Sequence, residues 1–479
     1  MRFLAIDQGT TSTRALLVDA AGAVEEVAAV SHRQIYPRPG WVEHDPAEIL
    51  GAIETCLEAA AGRGPIAAVG LANQGESCLA WDALTGEPAS PVIVWQDART
   101  AAACDALKAQ GAEALTLGRA GLPLDPYFSA SKLGWLWREE GAVRALARAG
   151  RLRLGTTDAW FRQRLTGVCA TDATTASRTS LMSLGTLGWD EGLCALFGVP
   201  AEVLPPIGPT TGALGLVRVG GREVVLGASV VDQQGALYGH GARAPGDAKI
   251  TFGTGAFALV LTGGRVAAPA GPLPTVAWAP DGGAPVYALD GGVYAASSAV
   301  NWARDLGLFS DFGAIARFER PPAIGRGLAF VPALAGLACP HWDRRARGAW
   351  LGLGLDHDRA DLMQALLEGV ALRTAEALGA IAQAVPLADT LTIDGGMSAN
   401  GHFCRFLADA LGRRIIVSAE PELTALGTAA LAAAGVGQAV DCTPRGPAIE
   451  PDARAPRAEW AARFAAARAA VQGYGAAAG

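Results

Sequence analysis

The segment Asp7-Gln-Gly-Thr-Thr-Ser-Thr-Arg14 combines groups that suit a polyphosphate. Gly9 permits a tight turn whose backbone N–H groups face an anion. Thr10, Thr11 and Ser12 add hydroxyl donors, and Arg14 adds a planar fork for phosphate oxygens. Asp7 stands where a strand ends, placed to hold the hydration shell of a magnesium ion. Gly253-Thr254-Gly255 offers a second turn of the same type. Either turn alone is also an ordinary polar hairpin, but as a pair they suit the two sides of one triphosphate. Asp394-Gly-Gly396-Met-Ser-Ala-Asn400 ends a strand and opens a helix. Its glycines let another molecule lie against the backbone, and Asn400 can meet a base or ribose or simply cap the helix.

A second kind of chemistry gathers around Asp232, which follows the apolar run Val224–Val231. A carboxylate at the end of a buried strand is costly unless it has work or partners. Here it is placed to take a proton from an attacking hydroxyl, or to cap the helix that follows. Asn73-Gln-Gly-Glu76, Val94-Trp-Gln-Asp-Ala-Arg-Thr100 and Asp125-Pro-Tyr-Phe-Ser-Ala-Ser-Lys132 mix carboxylates and amides with aromatic faces. A polyhydroxylated small molecule asks for that mixture: polar groups for its hydroxyls, rings for its C–H edges.

The elements that carry these residues read as strands and helices in alternation. Phe3–Ile6 and Arg14–Val18 are apolar runs flanking the first turn; Lys249–Phe252 and Ala256–Leu261 flank the second. Two strand–turn–strand units far apart in the chain suggest a duplicated architecture, one copy per lobe. The polar cluster Ala242–Asp247 marks the boundary, giving domains 1–243 and 244–479. Asp358-Arg-Ala-Asp361 reads as a capped helix start, and Leu423–Val440 as a tightly packed core helix. Trp460, Phe464, Ala467 and Val471 form one stripe of a terminal helix.

Composition narrows the function. Of 479 residues only 18 % are charged and 51 % are hydrophobic, so a mainly disordered chain is excluded. The net charge of −7 offers no basic surface for nucleic acid or anionic membrane. The lysines are Lys108, Lys132 and Lys249, so no G-x-x-x-x-G-K-[ST] loop exists, and no G-x-G-x-x-G follows a strand. Eight cysteines are scattered without a C-x-x-C pair, and Asp7 interrupts the start too early for a signal-peptide core. A cytoplasmic protein with reduced thiols is expected, with no membrane or nucleic-acid partner.

Taken together, these segments resemble the FGGY family of carbohydrate kinases, and within it the glycerol kinases most. The similarity is carried by AIDQGTTSTRALLVD, GWVEHDP, VWQDART, LDPYFSASK, TDATTASRT, VDQQGALYG, FGTGAFAL, PALAGLACPHWDRRARGA, IDGGMSANGHFCRFLADALG and TALGTAALA, in order along the chain. The resemblance implies an α/β, two-lobed actin-like ATPase (ribonuclease H-like) fold with the active site in the interdomain cleft. It also implies ATP and Mg2+ as cofactors and transfer of the γ-phosphoryl group to a hydroxyl of a small polyol or sugar. By motif position, Thr10, Thr11, Ser12, Arg14 and Thr254 meet nucleotide phosphates, and Gly396 and Asn400 lie by the adenosine. Ser297 and Asn301 stand where the family has glycine and glutamine in the nucleotide site. Asp232 is the expected base, with Asp7 and Asp232 toward the metal. Gly75, Glu76, Trp95, Tyr127, Asp232, Gln233 and Phe257 match substrate positions. Homo-oligomers occur among such relatives.

One departure bears on the substrate. Glycerol kinases typically read N-Q-R-E where this chain reads Asn73-Gln74-Gly75-Glu76. A charge-assisted hydrogen bond is worth roughly 1.5–3 kcal/mol, so either another group supplies the donor or a larger polyol or pentulose fills the space. A reading from another class, an actin-like ATPase switch, fits the phosphate turns but leaves Glu76, Trp95, Tyr127 and Asp232 without work.

Overall fold

The computed structural model describes residues 1–267 and 270–477. The chain forms two compact units. The first is Met1–Gly241 with Pro274–Tyr287 and Glu422–Cys442; the second is Ala242–Leu273 with Ala288–Pro421 and Thr443–Gly479.

The first unit is built on a six-stranded sheet ordered Leu216–Val219, Arg222–Val231, Ile66–Asn73, Arg2–Gln8, Ser12–Asp19, Val24–Ser31. Arg2–Gln8 runs antiparallel to Ser12–Asp19 and parallel to Ile66–Asn73. Phe3, Leu4, Ala5 and Ile6 are all buried, as a central strand covered on both faces requires. Helix Pro46–Ala59 starts on Asp45, whose side chain accepts from Ala47 and Glu48 N–H, with proline at the first turn.

The second unit repeats the order. Arg414–Val417, Thr390–Asp394, Ala248–Phe252, Ala256–Gly263 and Val286–Val293 are successive neighbours. Ala248–Phe252 pairs antiparallel with Ala256–Gly263 and parallel with Thr390–Asp394. Each unit therefore contains a hairpin whose first strand has a parallel partner on its other side. Asp358 and Asp361 form a reciprocal capping box at the start of helix Arg359–Ile381. Trp460, Phe464, Ala467 and Val471 are the buried stripe of helix Arg457–Ala477.

Two expectations change. The first turn is shorter than the polar run: Asp7 and Gln8 belong to one strand, Ser12 and Thr13 to the next, and Asp7 lies opposite Arg14 in the ladder. The units are also not contiguous halves divided at 243/244. Helix Leu423–Gly435 belongs with the first unit, where its small residues allow backbone contact. A Cβ on Gly427 would collide with the backbone of Gly235 and Gly239.

Candidate active site

In the first unit, the Thr10 turn is held by side chains from three segments. Gly9 N–H donates to Ser12 O at 3.0 Å and closes it. Thr10 O accepts from His32 Nε2 at 2.8 Å and Gln34 Nε2 at 2.6 Å. His44 Nε2 lies 2.9 Å from Gln34 Oε1, an oxygen that only accepts, so His44 is the donor. Burial, followed by the neighbouring His32, pushes the His44 imidazole down to about 4, so the ring is neutral near pH 7. Trp95 Nε1 donates to Thr10 Oγ1 at 3.0 Å.

Arg14 projects from the strand that follows the turn. Its guanidinium meets Glu422 Oε1 at 2.6 Å and Asp7 Oδ2 at 3.4 Å. Burial opposes its charge, but the Glu422 hydrogen bond and Asp7 outweigh that and raise its pKa. Burial raises the Asp7 carboxyl, with Arg14 pulling the other way. Glu422 ends the loop before helix Leu423–Gly435, so the returning segment brings it to Arg14.

The polyol-type residues sit where Ile66–Asn73 leaves the large sheet and Cys78–Asp82 enters a smaller four-stranded one. Gly75, at φ +70°, occupies this link. A Cβ there would touch only Val231 Cγ1, at 3.4 Å, so the missing side chain leaves room. Glu76 Oε1 accepts from Arg178 Nε at 2.7 Å, and the two side chains are only 5 % and 7 % exposed. Trp95 and Tyr127 stand edge to face, centroids 5.6 Å apart. Their segments are pinned together by buried Lys132, whose Nζ donates to Tyr127 O at 2.9 Å and Val94 O at 3.4 Å. Burial lowers the pKa of that ammonium.

Behind this lies Asp172, the cap of a short helix, Ala173–Ala176. Its carboxylate accepts from the N–H and hydroxyl of both Thr174 and Thr175, and from Thr210 Oγ1. Thr174 Oγ1 in turn accepts from Val231 N at 3.0 Å, and Thr175 Oγ1 lies 3.2 Å from Asn73 Oδ1. The residues from 172 to 178 thus fix the end of the Asn73 strand, the backbone just before Asp232, and Glu76. Asp232 opens helix Asp232–Gly239, half-buried, its Oδ1 accepting from Gln233 N at 2.6 Å.

In the second unit, Thr254 is exposed at the hairpin tip. Its carbonyl accepts from Ala296 N and Ser298 N at 3.0 and 3.2 Å, and Gly253 O accepts from Ser297 N at 3.0 Å. Beside helix Ser297–Asp305 lies a cavity of about 360 Å³, lined by Ser297, Val300, Asn301, Ile315, Gly396, Met397 and Asn400 among others. The Asn400 amide is already engaged: Oδ1 caps helix Gly401–Leu411 through Phe403 N at 2.9 Å, and Nδ2 donates to Ile315 O at 2.9 Å. Asn400 therefore shapes this wall as a cap. Phe257 is 38 % exposed on the strand after the hairpin.

Thr10, Thr11, Ser12, Arg14 and Asp7 thus share one hairpin; Gly75, Glu76, Trp95, Tyr127 and Asp232 are tied through the framework behind them; Ser297, Asn301, Gly396 and Asn400 share one cavity. Arg178, Lys132 and Asp172 lie inside recognisable motifs whose pattern does not single them out, and Glu422 carries no local signal.

The FGGY N-terminal domain model, from the FGGY family of carbohydrate kinases, matches residues 2–230, and the family's C-terminal domain model matches 248–436. The chain belongs to the FGGY family of carbohydrate kinases. Glycerol kinases of Thermus brockianus and Alkalilimnicola ehrlichii are each 44 % identical to it, over 445 and 446 residues, covering 91 % of this chain and 90 % of theirs. Among solved structures, a Plasmodium falciparum glycerol kinase with ADP superposes with TM-score 0.91 at 29 % identity, covering 98 % of both chains. A xylulose kinase from Rhodospirillum rubrum shares the fold, with TM-score 0.88 at 24 % identity over 99 % of this chain and 100 % of that one. This FGGY kinase is an ATP-dependent phosphotransferase acting on an alcohol group of a sugar or polyol. Among the described residues no helix is long and apolar enough to cross a membrane.

Proposed function

We propose that this enzyme phosphorylates glycerol or a polyol one or two carbons longer, with Asp232 as general base. One observation supports this most: Asp172, Thr174, Thr175 and Arg178 form a buried framework on which Asn73, Glu76 and the residue before Asp232 all depend. A nucleotide switch has no use for such a framework. The extra room at Gly75 is the reason the reading includes longer chains.

Glu76 accepts a substrate hydroxyl while Arg178 holds its carboxylate in place. Trp95 and Tyr127 offer apolar faces to the carbon chain, and Phe257 is a further apolar substrate residue. Gln233 is a further hydroxyl partner. Asp232 accepts the proton as the attacking oxygen forms its bond to phosphorus. Thr10, Thr11, Ser12, Arg14 and Thr254 meet the phosphates. The apolar cavity lined by Val300, Ile315 and Met397 suits an adenine ring, with Ser297, Asn301 and Gly396 around it.

Asp7 and Asp232 are the carboxylates that would hold magnesium, which kinases bind through one or two carboxylates plus phosphates and water. When bound, the ion offsets phosphate charge. Cys56, Cys78, Cys104, Cys194, Cys339 and Cys404 are buried thiols, which supports a reducing, cytoplasmic setting.

The test is ATP consumption with glycerol, erythritol, xylitol and D-xylulose as acceptors. A short polyol should stimulate turnover most, and Asp232→Asn should lower kcat by roughly 10²–10⁴-fold while leaving ATP binding intact. A xylulose preference, or near-normal turnover of the Asn variant, would overturn the assignment.

A further inference from the structure

A hydrogen bond from Trp95 Nε1 to Thr10 Oγ1, 3.0 Å long, joins the polyol side of the first unit to its phosphate side. An indole N–H only donates, so the Thr10 oxygen is the acceptor and its own proton must point elsewhere. Both ends are held. Trp95 N–H donates to Ser77 Oγ at 3.1 Å, its ring packs edge-on against Tyr127, and Lys132 grips the preceding carbonyl. The Thr10 carbonyl takes donors from His32 and Gln34, which stops the turn from rotating. With the indole N–H donated to its oxygen, Thr10 has only its own hydroxyl proton left to aim.

We propose that Trp95 is a positioning residue that couples acceptor binding to nucleotide binding: a polyol packed against the indole fixes its N–H, which aims the Thr10 hydroxyl at a phosphate oxygen. The idea rests on the functional reading above. Its particular content is that the indole nitrogen, and not merely the ring's apolar face, matters. The donor chain runs from Trp95 N–H through Thr10 O–H to the phosphate, so an acceptor and a nucleotide favour the same arrangement and must strengthen each other's binding equally.

Trp95→Phe keeps a ring and removes the donor; Thr10→Val removes the hydroxyl at nearly constant shape; Thr10→Ser restores it. The readout is the dissociation constant of the non-hydrolysable imido analogue of ATP, with Mg2+, in the absence and presence of saturating glycerol. In the parent enzyme glycerol should tighten binding by roughly threefold to tenfold, the range open to one hydrogen bond. In Trp95→Phe and in Thr10→Val the factor should fall below twofold, the double variant should be no worse than either single, and Thr10→Ser should regain it. Parental coupling in folded Trp95→Phe would overturn the proposal; if that variant fails to fold, parental coupling in Thr10→Val overturns it instead. Absence of glycerol or other polyol phosphorylation in the parent enzyme would, by contrast, defeat the functional reading itself.

Discussion

The two hairpins occupy the same place in equivalent sheets, yet they are held differently. The Thr10 turn is fixed by side chains: His32, Gln34 and Trp95 on Thr10, and Asp7 and Glu422 on Arg14. The Thr254 turn is fixed mostly by main chain, its carbonyls taking the N–H groups of residues 296 to 298, with the Ser298 hydroxyl also donating to Thr254 O at 2.9 Å. The first hairpin is therefore tied to its neighbours' side-chain chemistry, whereas the second is held chiefly through its backbone and leaves its threonine exposed. Under the proposed function the two units divide the labour: the ion pairs around Arg14 and the proposed proton acceptor Asp232 lie in the first unit, and a largely apolar cavity lies in the second.

That contrast can be broken by mutation. The largest effect should come from Arg178→Gln, which leaves Glu76 buried without its guanidinium. Removing one partner of a buried pair costs roughly 3–5 kcal/mol, so the melting temperature should drop and the acceptor KM should rise, with the analogue's affinity measured without acceptor little changed. Arg178→Lys should restore part of both. Next, Thr10→Ala should weaken ATP use by about tenfold, and Thr254→Ala by no more than about threefold, since one hydrogen bond is worth only ~0.5–1.5 kcal/mol and the second turn keeps its backbone contacts. Equal losses measured as kcat/KM for ATP would erase the distinction. Glu422→Gln should change the same parameter by only about twofold to fivefold, because the Arg14 pair is partly exposed, and the change should shrink as salt is added.

The smallest effect concerns acid. His44 ionises at about 4 in the folded protein against an ordinary 6.5. Between those values the unfolded chain binds a proton that the folded chain does not, so stability falls as pH drops from 6.5 to 4. His44→Gln should flatten that part of a denaturation-midpoint against pH curve. An unchanged slope would remove His44 from the account.

Much of the fold was legible because its signals are local. The apolar runs around Gly9 and Gly253–Gly255 announced both hairpins, and Asp358 with Asp361 announced a capped helix. The return of Leu423–Gly435 to the first unit was not legible, since an Ala/Gly stripe says that something packs closely without saying what. The site divides the same way. Asp7, Thr10, Arg14, Glu76 and Asp232 stand in recognisable strings, whereas their partners are remote in sequence: Arg178 lies 102 residues from Glu76, and Glu422 408 residues from Arg14. Asn400 was legible in both of its readings: its amide caps a helix, as the strand-to-helix turn allowed, and it lines the cavity beside Ser297 and Gly396.

The most direct test is a product balance: purified enzyme, MgATP and glycerol or a four-carbon polyol, with ADP and phosphorylated alcohol both quantified. One phosphorylated alcohol should form for each ADP in the parent enzyme, with both formed at least about a hundredfold more slowly in Asp232→Asn even though that variant still binds ATP. ADP released without phosphorylated alcohol, or an Asp232→Asn enzyme that keeps making it, would contradict the account.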